Sequence, residues 1–114
     1  MLNRDAILAA QDRKTVDVEV PEWGGTVRVQ SMNGAERDAF GSSLVTPDGK
    51  QNLAHYREKL LVACVVGEDG KPLFTLNDLE ALGAKSAVAL KRVHDAADAL
   101  NTIGPDEIAA AEKN

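Results

Sequence analysis

Apolar and polar residues alternate strictly along two short runs near the start of the chain. Val16, Val18 and Val20 are separated by Asp17 and Glu19, and Val27 and Val29 bracket Arg28. A period of two sends successive side chains to opposite faces, so this spacing predicts a β-hairpin with its valines buried and its charges wet. Pro21 has no amide hydrogen for a ladder, and Gly24-Gly25 tolerates loop dihedrals, which places the turn between the runs and Trp23 at its tip. A lone hairpin is marginal in water, so helices elsewhere in the chain must cover the valine face.

Beyond the hairpin the spacing shifts to three and four. Residues 3–11 predict a short helix with Ile7 and Leu8 as its apolar residues. Asn33, with Glu36 three positions on, predicts a capping box opening a second helix, along which Phe40 and Leu44 face inward. Thr46 to Asn52 is rich in turn formers and predicts a mobile loop. Leu53, Tyr56, Leu60, Ala63 and Cys64, widened by Leu61 and Val65, predict a central helix over 53–66. Gly67 to Pro72 breaks it, and Leu73-Phe74 predicts a brief extended stretch. Thr75 with Asp78 caps a further helix, with Leu76, Leu79 and Leu82 inward and Gly83 at its end. The last helix, over 86–101, carries Ser86, Ala89, Leu90, Val93, Ala96, Ala97 and Leu100 on one arc, and Lys91, Arg92, Asp95 and Asp98 on the other. The expected fold is α+β: one N-terminal β-hairpin packed against about four α-helices, a single small domain over 1–103. Gly104-Pro105 then opens a flexible C-terminal tail, 104–114, whose one large apolar residue is Ile108.

Composition narrows the functional classes. A chain of 114 residues has room for one domain that buries roughly two-thirds of its unfolded surface. Aromatics make up only 4%, so the core must be aliphatic. The net charge of −5 repels phosphate backbones and anionic lipids, against nucleic-acid or membrane binding. The single cysteine, Cys64, leaves no intramolecular disulfide and suits a reducing cytosol. Neither a signal-peptide core at the N-terminus nor an apolar run near the ~20 residues of a membrane span is found. The expectation is a soluble intracellular protein.

Candidate chemistry is sparse. His55 and His94 lack the spaced companions of a metal site. Cys64 sits on an apolar stripe, where a thiol acts as a small hydrophobe. The Gly67 to Gly70 and Pro47 to Gly49 turns match neither an EF-hand nor a phosphate-binding loop. Asp17, Glu19 and Glu22 point to solvent from alternate strand positions, where pairing of a carboxylate with Arg28 is the ordinary outcome. No catalytic, cofactor-binding or metal-binding residue is assigned. Apolar surface remains: Trp23 either folds back over the core or anchors a partner, and Val88, on the charged arc of the last helix, is a second candidate partner contact.

The wording of several segments then carries a resemblance. Ile7-Leu8-Ala9-Ala10 is followed by Val18-Glu19-Val20-Pro21-Glu22-Trp23-Gly24-Gly25 with Val27-Arg28-Val29. Gly34-Ala35-Glu36-Arg37-Asp38-Ala39-Phe40 comes next, then Glu68-Asp69-Gly70-Lys71-Pro72-Leu73-Phe74 and Leu82-Gly83-Ala84-Lys85-Ser86-Ala87. Arg92-Val93 and Leu100-Asn101 close the series. In order and spacing these resemble the tail assembly chaperones of long-tailed, siphovirus-type bacteriophages and prophages, across residues 7–101.

The resemblance implies a non-enzymatic protein without cofactors, made in the host cell cytoplasm and absent from the mature virion. Such chaperones bind and solubilise the tape measure protein and help recruit tail tube subunits. In many, a longer form made by ribosomal frameshifting contacts the tail tube protein. A homo-oligomer, a second copy as partner, is also expected. Glu112-Lys113-Asn114 is encodable as GAA AAA AAC, which contains a slippery heptamer of the kind such a shift uses. The alternatives are a small structural virion component, a tail tube or head–tail connector subunit, and a nucleic-acid-binding regulator. The first calls for longer strands than one hairpin supplies. The second calls for a basic surface, and Asp95 and Asp98 interrupt the nearest one.

Overall fold

A computed structural model describes residues 1–101 of the chain. The tail over 104–114, with Ile108 and the codons discussed above, lies outside the described residues. The hairpin forms as expected from β1 (Thr15–Val20) and β2 (Gly25–Gln30), antiparallel, with Val16 opposite Val29, Val18 opposite Val27 and Asp17 opposite Arg28. This register puts the valines on one face and the Asp17–Arg28 pair on the other. Burial grades along the edge strand β1, from Val16 at 39% exposed to the fully buried Val20, whereas Val29, opposite Val16 on the central strand β2, is fully buried. Between the strands Pro21–Trp23 make one 3₁₀ turn, closed by Gly24 in the left-handed region at φ 71°. Only a residue without a Cβ adopts that φ cheaply.

The α+β expectation holds, with five α-helices among the described residues and one more strand than the hairpin. The helices are α1 (Arg4–Ala9), α2 (Gly34–Ser42), α3 (Tyr56–Cys64), α4 (Leu79–Gly83) and α5 (Ala87–Asn101). The capping box of α2 forms: the Asn33 side chain accepts from the Glu36 amide at 2.8 Å, and the Glu36 carboxylate accepts from the Asn33 amide at 3.0 Å. The Thr75–Asp78 capping box also forms, but over a 3₁₀ turn, Leu76–Asp78, that leads into α4.

The helix expected over 53–66 is corrected at both ends. Leu53 lies outside α3 and is exposed, and His55 takes φ 59° just before the helix starts. Val65–Val66 leave the helix and form β3, pairing antiparallel with Arg28 and Val29 of β2. Two consecutive β-branched residues suit a pleated strand better than a helix, and here a neighbouring edge accepts them. The chain continues through Gly67 and Gly70 and folds back, so that Leu73 N donates to Val65 O at 3.2 Å and Pro72 bridges Val66. In place of the extended stretch expected at 73–74, a single bridge at Pro72 attaches this segment to the sheet, and Leu73 lies in a bend. The loop over 46–52 is also closed, by Thr46 N donating to Lys50 O at 2.8 Å and a Val45–Gln51 bridge.

The core is aliphatic. α5 packs on β1 and β2 as the cover the valine face requires, and α3 packs on α5, α2 and α4. Val20, Val29, Leu60, Leu61, Cys64, Val65, Ala89 and Val93 are almost entirely removed from water. α5 follows its predicted arc, with Ala89, Leu90, Val93 and Ala97 buried. Leu82 is buried and Leu79 half-buried as expected, but Leu76 is 59% exposed, which corrects its inward assignment. A 3₁₀ turn advances 120° per residue rather than 100°, so helical spacing misplaces a residue in it.

Candidate interaction surface

The hairpin tip is held against the helices from two sides. Trp23 is half-buried and packs on the core, so of its two readings the folded-back one describes its place in the structure. Beside it Glu22 reaches α5: Arg92 Nε donates to its two carboxylate oxygens at 2.9 and 3.2 Å. The Glu22 carboxyl is held below the usual carboxylate range, first by its own backbone amide and then by Arg92. Asp17 pairs with Arg28 across the strands at 2.9 Å, which lowers the acid and raises the base. The carboxylates that lay close in sequence thus have separate cationic partners or, as with Glu19, face solvent. This is the geometry of a solvated sheet face.

The histidines and the cysteine also stand apart. His55 is exposed, whereas His94 packs at a tilt, 5.8 Å from Tyr56, whose ring meets Phe40 edge-on at 5.6 Å. Among the described residues no three His, Cys, Asp or Glu side chains are grouped to hold a metal ion. Burial pushes the Cys64 thiol up to about 11, and the Asn101 side-chain amide, which donates to its sulfur at 3.5 Å, offsets this only in part. A thiol held neutral is a poor nucleophile.

The most apolar concave surface lies elsewhere, in two open clefts that share Phe74. The first, of about 250 Å³, runs between α2 and α3 and includes Phe40, Val62, Ala63 and Leu76. The second, of about 380 Å³, lies between the hairpin tip and α4, with Trp23, Ala81 and Leu82 in its walls. Glu36 and Lys59 line the first cleft, Asp78 and Lys85 the second. Arg13 donates to Glu36 at 2.7 Å, and Lys59 donates to the Ser43 carbonyl at 2.7 Å, which ties the cleft's rim to α2.

Of the two residues picked from sequence, Trp23 lines a cleft while Val88 lies outside both, 58% exposed on α5. Phe74 and Leu76 were missed as surface residues. Leu73, Phe74 and Leu76 put three large apolar side chains into four positions of a turn-rich connection, more than a solvated connection needs, and that excess was the available signal.

No helix among the described residues is long and apolar enough to cross a membrane. No family model matches the chain, and no curated protein matches it. Among solved structures, it is similar to the tail assembly chaperone of bacteriophage HK97, with a TM-score of 0.56 and 18% identical residues, over 82% of this chain and 89% of that one. At that identity the likeness is one of fold. Over most of its length the chain therefore shares the fold of a phage tail assembly chaperone.

Proposed function

We propose that this protein is a tail assembly chaperone: a non-catalytic protein that binds and solubilises the tape measure protein in the host cytoplasm and helps recruit tail tube subunits. The reading is carried by the fold shared with the HK97 chaperone over most of both chains, which agrees with the resemblance of residues 7–101. The apolar clefts supply a physical means. A long helical client aggregates through its apolar stripe, and a soluble domain of net charge −5 that covers such a stripe keeps the complex dispersed.

Recruitment of the tail tube protein through a frameshifted longer form, association with further copies of the chain, and absence from the virion belong to the same proposal. Co-expression with the tape measure protein tests it: the client should move from the pellet to the supernatant, and raised salt should weaken the complex little, because apolar contact is not screened. A client left insoluble would overturn the reading. So would abundant recovery of this protein from purified virions, which is the outcome a structural virion component requires.

A further inference from the structure

We infer that the two clefts joined at Phe74 form one groove for an amphipathic α-helix of a partner protein, with carboxylates flanking the helix's apolar stripe. The inference rests on the chaperone reading for the source of the helix, and on the groove for its chemistry.

The groove is apolar and uncovered. Leu76, in its wall, is 59% exposed, and Phe74 and Trp23 are only half-buried. Its walls are the helices α2, α3 and α4, the turn at 76–78 and the hairpin tip. Helices that make their own hydrogen bonds present no open ladder, so an occupant must satisfy its backbone internally, and an α-helix does so.

Charge decides what flanks the stripe. Both lining carboxylates are engaged: Glu36 takes the Arg13 guanidinium and the Asn33 amide, and Asp78 accepts from the Thr75 amide at 2.8 Å. Lys59 and Lys85 have no carboxylate partner among the described residues, Lys59 meeting only a carbonyl. Lys59 and Lys85 balance Glu36 and Asp78, so the groove's lining is neutral in a chain of −5, and among the described residues the two lysines are its charges without an opposite charge beside them. A second copy of this chain brings the same net negative charge and is the disfavoured occupant, whereas carboxylates placed to meet the two lysines are favoured.

Trp23 makes the site readable, because it is the only Trp in the chain and lines the groove. The probes are two Trp-free synthetic helices of about 18 residues with the same leucine stripe, one flanked by Glu and one by Lys. Titrated into the full-length protein, the Glu-flanked helix should shift Trp23 emission saturably and bind at least several-fold tighter than the Lys-flanked one. Overall charge alone would favour the reverse order. Leu76→Asp, at an exposed position where circular dichroism should show an unchanged fold, should weaken binding about tenfold or more, as for a charge placed in an apolar contact. Lys85→Glu should narrow or invert the preference between the probes.

Equal binding of both probes, or binding untouched by Leu76→Asp, would overturn the inference. Concentration-dependent self-association abolished by Leu76→Asp would overturn it as well, since a second copy would then fill the groove. A Leu76→Asp protein that still solubilises the tape measure protein would remove the groove and leave the chaperone reading intact. Saturable, Glu-selective probe binding by a protein that fails to solubilise that client would support the groove and remove only the source assigned to its helix.

Discussion

α5 and α1 are both helices with apolar side chains, and the fold uses them in opposite ways. In α5, Ala89, Leu90, Val93 and Ala97 recur at one, three and four residues and are buried against the valine face and α3. In α1 no residue is buried, and Ile7 and Leu8 are 55% and 68% exposed. Both helices have starting signals: Asn3 accepts from the Ala6 amide at 2.9 Å, as well formed a cap as the Ser86 bond to Ala89 at 3.3 Å. Capping therefore does not separate them. Length and repetition do: four turns offer a stripe that a sheet can cover, while six residues with two adjacent aliphatics offer none.

The comparison breaks most visibly at Leu90. Leu90→Ala should destabilise the domain by ~2–5 kcal/mol, the range for a truncated core leucine, and lower the melting temperature by roughly 4–8 °C for each kcal/mol lost. A loss under about 1 kcal/mol would show that α5 is not the cover of the sheet. Trp23→Ala comes next. Trp23 is half-buried at the tip rather than enclosed, so the expected loss is about 2 kcal/mol, below the 3–5 of a fully buried tryptophan. Chemical denaturation measures it, and an unchanged midpoint would return Trp23 to the purely partner-binding reading.

Such gradations explain how much was legible in the sequence. The hairpin, the capping box at Asn33 and the arc of α5 all rest on local patterns, and each appears as read. The segment over 53–66 failed because Val65 and Val66 satisfy helical spacing and strand propensity alike, and only the presence of β2 alongside decides between them. Leu76 failed because a 3₁₀ turn replaced an α-turn. The candidate site was the least legible part. Phe74 joins two clefts whose walls come from residues 23, 36–43, 59–63 and 72–85, and no spacing along one chain records that meeting. The ion pair from Glu22 to Arg92, 70 positions apart, was unreadable for the same reason.

Cys64 sharpens the comparison from the core side, through pH. Its thiol is raised from 9.0 to about 11 by burial, so the folded state retains a proton that the unfolded chain gives up first. Stability from this group is therefore whole below the unfolded value and declines as pH rises from about 9 toward 11. Cys64→Ala should be less stable at pH 7, because it leaves a small cavity, yet show a flatter decline across that window. Urea midpoints at pH 7, 9 and 10.5 measure both effects. Parallel profiles for the two proteins would mean that Cys64 is not desolvated.

The smallest effect is expected in α1. Deleting residues 1–9 removes Ile7 and Leu8 but no buried atom of the core, and Arg13, which lies outside the deletion, retains its bonds to Ser31 O and Glu36 at 2.7 Å each. Loss of the exposed Arg4–Asp5 pair adds little, since such pairs contribute ~0–1 kcal/mol. The unfolding free energy should change by no more than about 0.5 kcal/mol, the ordinary range for surface changes. Guanidinium unfolding, at one protein concentration for both chains, checks it. A loss approaching that of Leu90→Ala would show that α1 is covered in solution, and a loss that appears only at high protein concentration would assign its cover to a second molecule.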